Sequence, residues 1–260
     1  MRTNFKLADG SAKRVMLCFA GLLLGLAEGY AQLSSVETEL AARTAAARNV
    51  YLNHFELNAA LRIGQLYKYT YGNQVAGDQF LEGELDENSS ILYDGRLFPN
   101  AGIRYDIHNN LVLVSDGYSD LLILDSRRIS GFQINGRAFE PLISREGDGE
   151  PVFYEILFAG EYSRLLARRS KRLVEHKVRS SGEVDRFVRE NQYIVITASD
   201  TLAVKSRKNL LQGLKYESEL SGYIKKQKIR FNEKEKEAGL LKLLHFYESV
   251  HFTNATNKGH

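Results

Sequence analysis

Tryptophan is absent from this 260-residue chain, cysteine occurs once and proline three times. The single cysteine, Cys18, lies in an apolar run near the start. The remainder therefore has no thiol for disulfides, nucleophilic catalysis or soft-metal ligation. Scarce proline argues against long linkers and disordered tracts. The histidines, His54, His108, His176, His245, His251 and His260, form no HExxH pattern and no i, i+4 pair. A GxSxG elbow and a glycine-rich phosphate loop are missing too. No catalytic residue, metal ligand or cofactor is assigned on these grounds.

What is present begins with an address. Arg2, Lys6, Lys13 and Arg14 precede the apolar run Val15–Ala27, and Gly29 and Ala31 supply small residues before Gln32. That order predicts a signal peptide over residues 1–31, cleaved before Gln32. A retained single-pass anchor is the alternative, but the run is short for a membrane span. Cys18 follows Leu17 inside the run, which argues against lipidation. The whole chain carries 35 basic and 32 acidic residues, and segment 1–31 holds four and two of them, leaving 31 and 30. A net charge of +1 excludes a global attraction to nucleic acid or to a membrane surface. Export without disulfides fits a bacterial envelope, so the expected location is periplasmic or secreted.

Past the signal, residues 32–58 read as a helical leader, with Ser34 and Glu37 as a capping box ahead of an alanine-rich stretch. From Ala59 the pattern turns to strands. Ala59–Thr70 alternates, and Ser90–Pro141 is a run of short apolar segments separated by Asp94-Gly95, Asn109-Asn110 and Asn135-Gly136. This is the text of an antiparallel meander. Ile103–Ile107 is expected to pair across the Pro99-Asn100 turn. Leu111–Val114 and Leu121–Leu124 are unbroken apolar runs and predict strands covered on both faces. Further hairpins are expected at Ala159-Gly160 and Ser199-Asp200, with a longer connection over Val178–Asp185. Ser206 and Asn232 then cap helices, the last carrying a stripe of Leu240, Leu241, Leu244 and Tyr247. The expected architecture is α+β: a curved, barrel-like antiparallel sheet over 59–205, C-terminal helices packed on it over 206–250, and a flexible tail over 251–260.

The segments LYDGRLFPNAGIRYDIHNNLVLV at 92–114, SGFQINGRAFEPL at 130–142, FYEILFAGEYSRLLARRSKRL at 153–173 and DTLAVKSRKNLLQGL at 200–214, with the closing LLKLLHFYES, carry a resemblance. Over roughly Ala60–Ser249 the chain resembles a group of uncharacterised exported proteins of the Bacteroidota. The resemblance implies export and a β-rich body with a helical C-terminus. It implies no activity, cofactor or catalytic residue.

The sharpest charge feature is Arg164–Arg179, in which Arg164, Arg168, Arg169, Lys171 and Arg172 are the candidate ligands for an anionic lipid, glycan or partner. The competing reading is a solvated strand edge, where basic residues block edge-to-edge pairing. Calcium loops at Asp116–Asp120 and Glu146–Glu150 lack EF-hand spacing. Asp94, Asp106 and Glu155 are the carboxylates that a hydrolase of envelope polymers would use. The strands are too short and charged for an outer-membrane barrel, and aromatic interleaving for nucleic acid is missing. The expected function is a non-enzymatic envelope module that is not an integral membrane protein after signal cleavage. Expressed in a bacterial host with its own N-terminus, the exported chain should start at Gln32 by mass spectrometry. Exported protein still beginning at Met1 would exclude cleavage.

Overall fold

In a computed structural model, the structure describes residues 43–44, 61, 63–72, 75–116, 120–143, 149–175 and 184–256. The chain divides into two compact units, Met1–Leu57 and Asn58–His260. Within the first, Arg43 and Thr44 are helical; the expected signal and the rest of the leader lie outside the described residues. Every element below belongs to the second unit.

Among the described residues thirteen strands form two open sheets. Four of them, β1 (Gln65–Leu66), β7 (Leu121–Ile123), β6 (Leu111–Ser115) and β5 (Ile103–Asp106), make the smaller sheet in that order. The larger runs β13 (Thr201–Ala203), β12 (Asp185–Thr197), β11 (Ser163–Val174), β10 (Val152–Ala159), β9 (Arg137–Leu142), β8 (Ile129–Ile134), β3 (Ser90–Tyr93), β4 (Arg96–Pro99). The short β2 (Val75–Ala76) adds a parallel pairing to the start of β12. The α+β class holds, with β13 and β4 left as edges, so the curved sheet does not close into a barrel.

Turn chemistry sets the hairpins. Asp94 and Gly95 have φ of 50° and 72°, and Asn135 and Gly136 have 49° and 72°, the double positive φ of type I′ turns that match strand twist. Between these hairpins the meander departs from expectation. Asn100 (φ 51°) and Gly102 (φ 62°) turn the chain out of the large sheet. Ile103–Asp106 therefore pairs with β6 and not back across the Pro99-Asn100 turn. The chain returns through a 3₁₀ turn, Ser126–Arg128, whose Arg127 amide donates to Asp125.

The expected strand over Ala59–Thr70 also contracts. Of its described residues Gln65–Leu66 pairs, with β7, while Tyr67 turns inward and donates its hydroxyl to Asp106 at 2.8 Å. Of the two apolar runs, β6 meets expectation, with Val112, Leu113 and Val114 all buried; in β7 Leu122 and Ile123 stay half-buried. The small sheet docks on the large one through Tyr105, whose ring meets those of Phe132, Phe139 and Phe153 edge-on at 5.3, 5.5 and 6.0 Å.

Three helices close the chain: α1 (Arg207–Gly213), α2 (Glu217–Lys226) and α3 (Lys236–Thr256). Ser206 accepts from the Asn209 amide at 3.1 Å, and Asn232 accepts from the Glu235 amide at 2.9 Å, both satisfying donors at helix starts. Leu240, Leu243, Leu244 and Tyr247 form the buried stripe of α3, with Leu241 at its margin. They pack with Leu210, Leu220 and Ile224 against Leu165, Ala167, Tyr193 and Val195 of β11 and β12.

The expected flexible tail is helical as far as Thr256. His251 stacks on Tyr162 with ring centres 4.0 Å apart. One turn earlier, Glu248 accepts from the amides of Glu161 (2.8 Å) and Tyr162 (3.0 Å) and from the Ser163 hydroxyl (2.6 Å). This carboxylate fills the β10–β11 turn, which is longer than the two residues expected and leaves room at Gly160 only for a hydrogen. Glu248→Ala removes the shared acceptor of three donors and should lower stability by about 2–3 kcal/mol in urea unfolding. A change below about 0.5 kcal/mol would show that the turn does not depend on it.

Candidate functional site

The basic stripe lies on β11, and the strand sorts it. Successive side chains of a strand point to opposite faces, so Arg164, Arg168 and Arg172 share one face while Arg169 and Lys171 share the other. In addition, β11 pairs with β12 from Ser163 to Val174 and with β10 from Arg164 to Ala167. Arg164 is therefore interior to the sheet, whereas among the described residues no strand pairs with Arg168–Arg172 on the β10 side.

On the helix-bearing face the two cations are structural. Arg169 is 8% exposed. Its Nε donates to Glu155 Oε2 at 2.5 Å and its Nη1 to Glu237 Oε2 at 2.7 Å. Glu155 also receives Nε and Nη2 of Arg137, at 2.8 and 2.6 Å, and the Tyr193 hydroxyl donates to Glu237 at 3.0 Å. Burial alone would raise the Glu155 carboxyl, but hydrogen bonds and charge from Arg137 and Arg169 overcome it and hold the group below the usual carboxylate range. Burial disfavours the Arg169 charge, and its two carboxylates more than restore it. Lys171 donates to the Asp78 carbonyl at 2.8 Å and to its carboxylate at 3.0 Å.

The opposite face keeps the binding candidates. Arg164 pairs with Glu140 at 2.5 Å, and Arg172, more than half exposed, pairs with Glu190 at 2.8 Å. Arg168 lies between them, half-buried and in register with Gln192 of β12. Of the five stripe residues it alone has no ion pair or hydrogen bond among the described residues. Leu166, its neighbour on this face, is fully buried, so the three arginines do not form one continuous open row.

The carboxylates considered for hydrolysis are held apart. Asp94 sits in the exposed β3–β4 turn and pairs bidentately with Arg128. Asp106, on the small sheet, is fully buried and accepts four bonds: from the Tyr67 hydroxyl, the Asn109 side chain and the amides of His108 and Asn109. Burial raises the Tyr67 hydroxyl above its ordinary value; the bond from Gln79 opposes this and Asp106 adds to it. Glu155 belongs to the arginine network on the large sheet. Asp106 and Glu155 thus have complete partner sets in different sheets and do not converge on a pocket.

His108, expected at the surface beside its turn, is half-buried, with Nδ1 at 2.8 Å from the Lys171 carbonyl and Nε2 at 2.9 Å from the Tyr71 hydroxyl. It ties the end of β5 to β11. Among the described residues no three His, Cys, Asp or Glu side chains group as a metal site. Loops Asp116–Asp120 and Glu146–Glu150 fall largely outside those residues.

Two features escaped the sequence reading. The Arg137–Glu155–Arg169–Glu237 chain joins residues far apart in sequence, and no spacing rule connects them. A groove of about 610 Å³ opens beside the start of β8, between Ile129 and Ser130 on one wall and Pro141, Ile143 and Pro151 on the other, with Arg127 at its rim. Its one visible signal is that two of the three prolines lie in it. No protein-family model, curated protein or solved structure matches the chain. Among the described residues no helix is long and apolar enough to cross a membrane.

The depressed Glu155 carboxyl has a pH consequence. Its contribution to stability is fully present above the unfolded value, about 4.3, and is lost as pH falls through the lower folded value. Glu155→Gln should therefore lower stability by about 3 kcal/mol at pH 7, because the buried Arg169 and the half-buried Arg137 lose their shared counter-charge and keep only Glu237 and Glu82. The variant should also lose less stability than the parent between pH 5 and 3. Urea midpoints at both ends of that range check this; parallel pH curves for the two proteins would exclude it.

Proposed function

We propose that this is a non-enzymatic protein of the bacterial cell envelope, exported by its N-terminal signal, that binds an anionic envelope component or partner protein. The observation that carries the reading is Arg168. Its four neighbours in the basic stripe are neutralised by Glu140, Glu155, Glu237, Asp78 and Glu190. Arg168 is held on a regular strand with no ion pair or hydrogen bond among the described residues. A half-buried guanidinium on rigid backbone offers a pre-set fork for a carboxylate or phosphate.

Two further points support the reading. The basic and apolar order of residues 1–31 is that of an export signal. The carboxylates available for acid–base work are instead engaged in turns and ion pairs. The resemblance to exported Bacteroidota proteins supports the same reading, with the mature chain in the periplasm or outside the cell.

The test is retention of the Gln32–His260 chain on native envelopes, followed by titration with lipopolysaccharide micelles and with a polyuronate. Loss of one charge-assisted contact corresponds to about 1.5–3 kcal/mol, so Arg168→Gln should weaken binding roughly tenfold or more. Arg172→Gln, whose partner is Glu190, should change it less than about threefold. Equal binding by parent and Arg168→Gln would remove Arg168 as the contact.

A further inference from the structure

The groove beside β8 arises from two breaks in hydrogen bonding that coincide. The tight Asn135-Gly136 turn sets Ile134 opposite Arg137, and the register continues through Gln133↔Ala138 to Phe132↔Phe139, where it ends. In an antiparallel ladder alternate pairs exchange both hydrogen bonds. Counting from Ile134↔Arg137, the next such pair after Phe132↔Phe139 is Ser130↔Pro141. Proline has no amide hydrogen. Pro141 therefore cannot donate to the Ser130 carbonyl, and the pair does not form. Proline is tolerated here because the missing donor points toward β8, while Pro141 keeps its place opposite Phe153 on the other side.

The second break is on the β3 side of the same residue. The β3–β8 register passes from Leu92↔Gly131 to Tyr93↔Ile129 and skips Ser130. Ser130 is the extra residue of a β-bulge, a device that bends one strand away from its partner. At the pivot, a Cβ on Gly131 would approach the Phe139 carbonyl oxygen to 3.1 Å, so the strands are close there and diverge beyond it.

The space they leave has a defined chemistry. Of its lining residues Ile129 and Pro151 are buried, and Ile143 is 65% exposed. Arg127 is exposed at the mouth and has no side-chain ion pair among the described residues. The volume of about 610 Å³ lies within the range of preformed binding sites.

We propose that this groove binds an extended peptide by strand addition. The peptide backbone takes the place of the missing ladder: one of its amides donates to the Ser130 carbonyl, and one of its carbonyls accepts from the Ser130 amide. Alternate apolar side chains enter against Ile129 and Pro151, and an acidic side chain meets Arg127. Main-chain bonding supplies affinity in such complexes and the alternating pockets supply selection. This site is separate from Arg168 and stands or falls without it.

The test uses the Gln32–His260 chain and a fluorescein-labelled capped peptide, Val-Glu-Val-Thr-Val, titrated by fluorescence anisotropy. Saturable binding is expected. Arg127→Gln, or the Glu→Lys peptide, should weaken it at least fivefold. N-methylating alternate peptide amides, which removes donors and leaves the protein unchanged, should weaken it at least tenfold. Pro141→Val restores the missing donor and lets the ladder continue, so it should abolish binding with thermal stability equal to or above the parent's. Absence of saturable binding up to about 1 mM overturns the proposal. So does binding indifferent to N-methylation, which would make the groove a side-chain pocket. Concentration-dependent self-association that competes with the peptide would make the occupant a second copy and overturn it as well.

Discussion

The rest of the molecule depends on a buried run of charge, Arg137–Glu155–Arg169–Glu237. On the helix-bearing face of the large sheet, Phe132, Phe139, Glu155, Ala167 and Tyr193 lie side by side across five strands. Phe132 and Phe139 belong to the aromatic cluster under Tyr105 of the small sheet. Ala167 and Tyr193 belong to the core under the three helices. Glu155 stands at the boundary between these two covers, where neither supplies an apolar lid. A carboxylate there is tolerable only because two guanidinium groups meet it, and Arg169 extends the chain to Glu237 on α3. A buried ion pair of this kind adds little net stability over an apolar replacement, but it is costly to break. Its consequence is positional, since α3 meets its charge partner in one placement along the sheet.

Ion pairing of the same kind accounts for most of the basic stripe. A run of seven basic residues with a single acidic one looks like an anion site when read along the chain. Strand alternation divides it, and acidic residues from β9, β12, α3 and the loop before Phe80 neutralise four of the five candidates. What remains is Arg168, on the face away from the helices. The same division of labour applies to the carboxylates. Asp106 organises the turn after β5 by accepting from Asn109 and His108, and Glu248 organises the β10–β11 turn from a helix 85 residues away.

Much of the architecture was legible because it is local. The type I′ hairpins follow from Asp94-Gly95 and Asn135-Gly136, since glycine and asparagine tolerate positive φ. The helix starts follow from Ser206 and Asn232, and the stripe of α3 follows from its period. The partition of the meander was not legible. Whether Ile103 pairs back on β4 or forward into β6 depends on Gly102 turning the chain and on what each sheet finds to cover it. Both pairings satisfy the same alternation. The extra length of α3 was missed because its last turns are polar in sequence and are fixed from outside the helix, by Tyr162 stacking on His251 and by the β10–β11 turn donating to Glu248.

By itself, the sequence determined the class of the fold and the positions of the Asp94-Gly95 and Asn135-Gly136 turns and of the Ser206 and Asn232 caps. These are properties of composition and of neighbours a few residues apart. Only the tertiary structure decided which charges are counter-ions and which is uncommitted, because Glu155, Arg169 and Glu237 meet across three elements. It also decided that Pro141 faces a bulge at Ser130. A proline that looks incidental in the chain becomes the residue that ends a ladder, because the direction of its missing amide is fixed by the register of its strand.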